Sequence, residues 1–178
     1  MHEVLEEHAH HHEDDEPWIL PVAITISILA VLVAMATLMG HRSGIEAVLV
    51  QTQASDQWAF YQAKNIRLHE MQSIADILEV LTPLDKEKAA VVREKYLKEI
   101  ERYEKDKDQI SEKAKEFENE RAVLTRREDR FDAGEVILEI ALIICSLTLL
   151  TKQKGFWYSG IAIGVLGFFA GLSGFLIH

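Results

Sequence analysis

Hydrophobic and polar residues alternate in long blocks along this chain of 178 residues. Residues 18–39 and 155–177 contain no charged side chain, and each block exceeds the roughly 20 apolar residues that cross a ~30 Å hydrocarbon core. A third apolar run, 136–150, is interrupted only by Glu139. The pattern predicts three transmembrane helices, at 18–39, 133–151 and 155–177.

The hydrophilic segment 41–130 lies between the first two predicted membrane helices and shows helical periodicity. Gly40 to Gly44 (GHRSG) predicts a break or bend, and helical spacing then resumes. Thr82-Pro83-Leu84-Asp85 has an N-cap threonine followed by proline at the first helical position, which predicts that a new helix starts there. Before this turn, one apolar face of the helix is marked by Ile45, Leu49, Thr52, Ala59, Ala63, Ile66, Ile74, Ile77 and Leu78.

After the turn, residues repeat with the four-three spacing of a coiled-coil seam. The two helices have similar lengths, which favours an antiparallel, coiled-coil-like hairpin; the alternative is one bent rod that pairs with neighbouring subunits. The expected fold class is therefore all-α: an integral membrane protein with three transmembrane helices and an inserted long helical hairpin. The seam comprises Tyr96, Ile100, Tyr103, Lys107, Ile110, Ala114, Phe117, Arg121, Leu124, Glu128 and Phe131.

The net charge of −10 is concentrated at the beginning of the chain, where residues 1–17 hold seven acidic residues and no Lys or Arg. This tail is expected to be disordered, and it does not resemble the basic region of a signal peptide. Residues 41–130 are nearly balanced, with 19 acidic and 17 basic side chains, so we expect no nucleic-acid partner. The single cysteine, Cys145, excludes an intrachain disulfide framework.

The acidic tail also contains a group of histidines: His8, His10, His11 and His12, together with His2. Imidazole and carboxylate groups together bind divalent metals, so the tail is a candidate metal-capture segment, and a merely solvated acidic tail is the alternative. No other cofactor is expected.

The third predicted membrane helix has five glycines on one face. A four-three spacing of small residues lets two helix backbones approach closely in a membrane. The partner could be the chain's own second helix or a second subunit. The stripe consists of Gly160, Gly164, Gly167, Gly171 and Gly174.

Two further groups of residues are candidate sites. Glu135 and Glu139 are one turn apart in the second membrane helix, where a carboxylate either hydrogen-bonds between helices or has a role in ion or proton handling. Trp58, Phe60 and Tyr61 either form an exposed contact surface or pack against the returning helix.

The run Ala47-Val48-Leu49-Val50-Gln51-Thr52-Gln53-Ala54-Ser55-Asp56-Gln57-Trp58-Ala59-Phe60-Tyr61-Gln62-Ala63-Lys64 and the run Arg130-Phe131-Asp132-Ala133-Gly134-Glu135 resemble a known family. They are similar to bacterial membrane proteins grouped as domain of unknown function 4337, and the resemblance covers most of the chain. It implies a multi-pass protein of the bacterial inner membrane, and it carries no activity or ligand.

The charge distribution gives a divided prediction of orientation. Arginines next to the membrane favour a cytoplasmic helical domain, whereas Lys152 and Lys154 in the short loop favour the opposite, and we expect the cytoplasmic placement. No catalytic motif is present, so we expect a non-enzymatic scaffold or accessory protein that contacts membrane lipid. It is expected to form a homo-oligomer through the glycine stripe of the third membrane helix and the helical hairpin. The alternatives are a small oligomeric channel or metal-handling protein that uses Glu139 and the histidine tail, and a membrane-tethered adaptor for another membrane or soluble protein.

Overall fold

The computed structural model describes residues 17–80 and 86–177, and these residues are almost entirely helical. Three α-helices are followed by a single 3₁₀ turn, Ser173–Leu176. No strand occurs within these two ranges, so the all-α prediction is confirmed for them. The helices are α1, Ile19–Val80; α2, Lys86–Thr151; and α3, Lys154–Leu172.

Each of the three helices contains a segment that is long and apolar enough to cross a membrane. The predicted turn at 82–85 and the acidic histidine tail fall outside the described ranges. Helix α2 is continuous through the start of the second apolar segment, and no glycine or proline occurs between residues 85 and 133 to interrupt it.

Helix α1 is continuous from Ile19 to Val80, so of the predicted break or bend at residues 40–44 a break does not occur. A glycine inside a helix costs about 1 kcal/mol relative to alanine, which is too little to end a helix that is stabilised by packing. Gly40 is also the point of a close approach: an added Cβ would lie 2.6 Å from Asp132 Oδ1 of α2. The small residue therefore serves helix packing here and does not break the helix.

Contacts divide the chain into two compact units. Of the described residues, those up to Ser43 and from Arg126 onward form the three-helix unit, and those between Gly44 and Thr125 form the two-helix unit. The core of the three-helix unit is formed by Leu29, Ala36, Leu138, Ala141 and Cys145.

In the two-helix unit, the predicted seam of α2 supplies the buried residues Tyr103, Ile110, Ala114 and Leu124. On α1, however, the predicted apolar face is not the buried one. Ile45, Leu49, Ile66 and Ile77 are all more than half exposed. The residues that α1 buries are smaller on average: Ala47, Val50, Ala54, Leu68 and Ala75.

Contacts between α1 and α2 in the two-helix unit run in opposite order along the two helices. Lys64 Nζ lies 2.8 Å from Asp106 Oδ2, and further along α1 the side chain of Glu79 pairs with Arg93, which lies earlier on α2. Small side chains on α1 permit this close approach, which explains why its larger residues point outward.

Candidate functional site

The glycine stripe of α3 lies against α2 of the same chain. Gly160, Gly164, Gly167 and Gly171 are buried, and Gly174 in the following 3₁₀ turn is buried as well. An added Cβ at Gly160 would collide with Cys145 Sγ, and one at Gly167 would lie 3.0 Å from Leu138 N. The stripe thus has contacts within the protomer, with α2 and, at Gly164, with Leu29 of α1.

The closest crossing of α2 and α3 involves a glycine that is not part of the stripe. A Cβ added to Gly134 would lie 2.6 Å from both the Cα and the N of Gly171. A Cβ added to Gly171 would lie 3.8 Å from Gly134 Cα, which is an ordinary contact. The crossing therefore depends mainly on Gly134. Sequence reasoning missed it because a single glycine has no periodicity to reveal it.

Of the two candidate carboxylates, Glu135 has a partner inside the three-helix unit. The hydroxyl of Thr37 donates a hydrogen bond of 2.7 Å to Glu135 Oε1. The same hydroxyl lies 3.0 Å from the backbone carbonyl of Val33, so the two acceptors share its single proton. Glu135 therefore takes part in the contact between α1 and α2.

Glu139, one turn further along α2, is exposed on the outer surface of the unit. It makes no hydrogen bond or ion pair with any residue in the described ranges. Large apolar side chains surround it on the same helix, including Val136, Ile140 and Ile143, which are 54%, 46% and 58% exposed. A carboxylate is thus displayed in the middle of an apolar surface.

The part of α1 next to Glu139 carries small side chains. The pairs Thr37–Glu135 and Gly40–Asp132 show that α1 and α2 run in opposite directions here. One turn before Thr37 on α1 is Ala34, and one turn after Glu135 on α2 is Glu139. Because the helices are antiparallel here, Ala34 lies level with Glu139. Ala23, Ser27, Ala30 and Ala34 are all exposed along this side of α1.

The aromatic candidates of the two-helix unit are mostly engaged inside that unit. Trp58 Nε1 donates a hydrogen bond of 2.8 Å to Glu118 Oε1, and the Trp58 and Tyr61 rings make an edge contact at 5.5 Å. Lys107 Nζ lies 5.7 Å from the centre of the Tyr61 ring. Phe60 differs because it is 52% exposed. The three residues therefore do not form one free surface.

The ion pair Lys64–Asp106 is the best-packed polar contact between α1 and α2 in the two-helix unit. Lys64 Nζ also lies 4.3 Å from the centre of the Tyr103 ring, and its side chain is 15% exposed. The hydrogen bond from Lys64 and its positive charge lower the pKa of Asp106. The pair is thus a polar contact between the two helices of this unit.

The histidine candidates His8, His10, His11 and His12 lie outside the described residues. Within residues 17–80 and 86–177, no group of three or more His, Cys, Asp or Glu side chains is arranged to hold a metal ion.

Comparison with protein families identifies a match over residues 18–177, to the family described as Domain of unknown function (DUF4337). The chain belongs to this family. The match covers all three helices and confirms the family resemblance of the two sequence runs. Comparisons with curated proteins and with solved structures give no match. Membership in the DUF4337 family supplies no activity, so function has to be argued from the surfaces described above.

Proposed function

We propose that this protein is a non-enzymatic integral membrane protein of the bacterial inner membrane, and that it self-associates as a scaffold or accessory subunit. Insertion is supported by the three apolar helical segments and by the large apolar side chains exposed around them. A surface of this kind is unfavourable in water and favourable in hydrocarbon. In this proposal the two-helix unit is an antiparallel hairpin outside the bilayer, supported by the order of its contacts.

The exposed carboxylate of Glu139 is the main support for the proposed self-association. An ionised carboxylate near the centre of a membrane helix costs about 2.5–3.5 kcal/mol on insertion scales, and such residues usually face protein or water. Glu139 is exposed and has no partner among the described residues. A second copy of the chain that covers this face would remove the carboxylate from lipid.

The side chains beside Glu139 favour a helix as the covering element. Ala30 and Ala34 are exposed and one turn apart, and small residues at this spacing allow close helix packing in membranes. The glycine face of α3 is already covered by α2, so the surface formed by Glu139, Ala30 and Ala34 replaces it in the proposal. We name it the Glu139 face.

Disulfide cross-linking in intact membranes tests this proposal. In a Cys145→Ala background, Ala34→Cys places a thiol on the Glu139 face, and Leu166→Cys places one on the outer surface of α3. The two positions lie at about the same level, because Gly167 contacts Leu138 of α2. Two thiols join only when their Cα atoms approach to within about 7 Å.

We expect oxidation to give a covalent dimer of Ala34→Cys and little dimer of Leu166→Cys. Adding Glu139→Leu to Ala34→Cys should reduce the dimer, and adding Glu139→Gln should largely preserve it because the amide still forms hydrogen bonds. Equal cross-linking at both positions would indicate random collision. Either that result or no dimer at Ala34→Cys would exclude self-association through this face.

A channel remains the second candidate, because a carboxylate on a face between symmetric copies would also line a central pore. Ion flux through liposomes that contain the purified protein separates the two functions. Flux that is lost in Glu139→Gln would support the channel. If the wild-type protein shows no flux, the scaffold interpretation stands and the channel is excluded.

The adaptor interpretation has less support than the other two. Trp58 and Tyr61 have contacts within the two-helix unit, and only Phe60 of the predicted aromatic group is exposed. No docking surface for a soluble partner is proposed on them.

A further inference from the structure

An apolar groove runs between α1 and α3 of the three-helix unit. It consists of two depressions of about 470 and 110 Å³ that share Leu32 and Phe168 in their walls. Thr25 supplies the one polar side chain of the lining, and its Oγ1 accepts a hydrogen bond from Trp157 Nε1 at 3.1 Å. The groove therefore offers an occupant only apolar contacts along its length.

The length of the groove fits one hydrocarbon chain. On α1 the lining extends from Thr25 to Met39, which is about 21 Å at 1.5 Å per residue. An acyl chain in one leaflet spans about half of the ~30 Å hydrocarbon core. The groove is long enough for such a chain, and it is open to the side on which lipid would lie.

Two arginines lie near one end of the groove. Phe131 and Phe175 form this end, with ring centres 5.0 Å apart, and Arg127 lies one turn from Phe131 on α2. Arg127 Nη2 donates to the carbonyl of Ile177 at 2.9 Å, whereas its buried Nε has no acceptor among the described residues. Arg127 uses one of its five guanidinium N–H groups in the bond to Ile177, so it retains groups that can donate to an anionic oxygen.

Arg42 provides a second positive charge at the same end. It follows Met35 by seven residues and therefore lies on the same side of α1, and Met35 lines the groove. Arg42 is exposed and makes no ion pair with a residue in the described ranges. The nearby carboxylate of Asp132 is on the other side of α2, directed toward Gly40.

We propose that this groove binds an anionic phospholipid, with one acyl chain between α1 and α3 and the phosphate at Arg127 and Arg42. The inference rests on the proposed membrane insertion and is independent of self-association. Basic residues at the ends of grooves between membrane helices select anionic lipids, because the charged headgroup lies at their depth. Arginine adds directional hydrogen bonds to phosphate oxygens.

Native mass spectrometry of the full chain tests the headgroup site. The protein is released from mixed micelles that contain equal amounts of phosphatidylglycerol and phosphatidylcholine with identical acyl chains. We expect the wild type to retain one phosphatidylglycerol in preference to phosphatidylcholine. Arg42→Gln and Arg127→Gln should each weaken this retention about fivefold.

Arg126→Gln is the matched control for charge. Arg126 is exposed and directly precedes Arg127, so it points about 100° around α2 from Arg127. This variant should retain phosphatidylglycerol as the wild type does. Equal losses in Arg126→Gln and Arg42→Gln would show that only general surface charge matters, and would overturn the site.

A second pair of variants tests the acyl-chain site and does not depend on Arg127 being dispensable for folding. Val165→Trp fills the groove from α3, whereas Leu166→Trp adds the same ring to an exposed position outside the lining. We expect Val165→Trp alone to lose the bound lipid. If Val165→Trp instead dissociates a dimer and leaves lipid retention unchanged, the groove binds a second copy and the lipid proposal is wrong.

Alkaline extraction of vesicles that contain the same variants separates this inference from the proposed insertion. A chain released by alkali would refute membrane insertion and the lipid site together. A chain that resists extraction but retains both lipids equally would refute only the lipid site.

Discussion

Helices α2 and α3 cross at Gly134 and Gly171, and substitution of either glycine by alanine tests this crossing. Gly171→Ala is the control for Gly134→Ala. Both glycines are helical, so Gly→Ala at either position gains up to about 1 kcal/mol of helix propensity. The two substitutions differ in the space available. A Cβ at Gly134 would lie 2.6 Å from backbone atoms of Gly171, whereas a Cβ at Gly171 would lie 3.8 Å from Gly134 Cα.

The backbone cannot move away from the new methyl group as a flexible side chain would, so Gly134→Ala has to shift the two helices apart. Overpacking of this kind costs about 1–3 kcal/mol. Because the gain in helix propensity is common to both variants, it cancels in the comparison. We therefore expect Gly134→Ala to be about 1–3 kcal/mol less stable than Gly171→Ala, and Gly171→Ala to be at least as stable as the wild type.

The rate of labelling of the Cys145 thiol measures this difference, because Cys145 is the only cysteine in the chain and its side chain is fully buried in the three-helix unit. Thiol labelling in micelles titrated with a denaturing detergent reports opening of this unit. The expected difference corresponds to about 5- to 150-fold faster labelling of Gly134→Ala than of Gly171→Ala. Similar labelling of both variants, or the reverse order, would refute the close crossing at Gly134.

Two further predictions concern polar contacts of the two units. The pKa of Asp106 is lowered by its hydrogen bond to Lys64, so the pair contributes stability above the unfolded carboxyl pKa of about 3.9 and loses it as the pH falls through the folded value. The protection factor for amide hydrogen exchange around residue 106, taken relative to the intrinsic exchange rate at each pH, should fall in acid. Lys64→Met should flatten this pH dependence, whereas Lys98→Met at the local Glu94 pair should not. An unchanged profile in Lys64→Met would contradict this. In the three-helix unit, Thr37→Val removes the hydrogen bond to Glu135 and should cost about 0.6 kcal/mol in detergent titration, a typical value for hydrogen bonds between membrane helices. An unchanged or higher midpoint would show that the bond does not stabilise the unit.

The helical class, the apolar segments and the buried seam of α2 follow from the order of the residues, because each depends on periodicity within one helix. Tyr103, Ile110 and Leu124 are large, regularly spaced and buried as that spacing indicates. Only the part of the fold that a single helix determines can be derived in this way.

The buried face of α1 could not be derived by the same reasoning. Ranking positions by hydrophobic size selects Ile45, Leu49 and Ile66, which are exposed, over Ala47 and Ala54, which are buried. The choice depends on how closely α2 approaches, and that distance is a property of the pair of helices. The same limit applies to Gly40, where a residue that favours a helix break in isolation is held in a helix by the contact with Asp132.

The two carboxylates of α2 show the same limit at the candidate site. Their spacing of four residues predicts one shared side of the helix, and it cannot distinguish their environments. Thr37 reaches Glu135 and not Glu139, so one carboxylate is used in packing and the other is displayed outward. Only the position of α1 distinguishes the carboxylate that bonds within the protomer from the one that is exposed.

The three helix pairs of the three-helix unit therefore differ in the surface that each exposes to other molecules. Helices α2 and α3 pack closely through their glycines, and there is no space for even one methyl group at Gly134. The pair α1–α3 leaves an apolar groove with arginines at one end, which suits a lipid with a negative charge. The pair α1–α2 leaves small residues beside an unpaired carboxylate, which suits another helix and not hydrocarbon. Since the proposed assembly and the proposed lipid binding use different pairs of helices, in an inserted protein either proposal can fail without affecting the other.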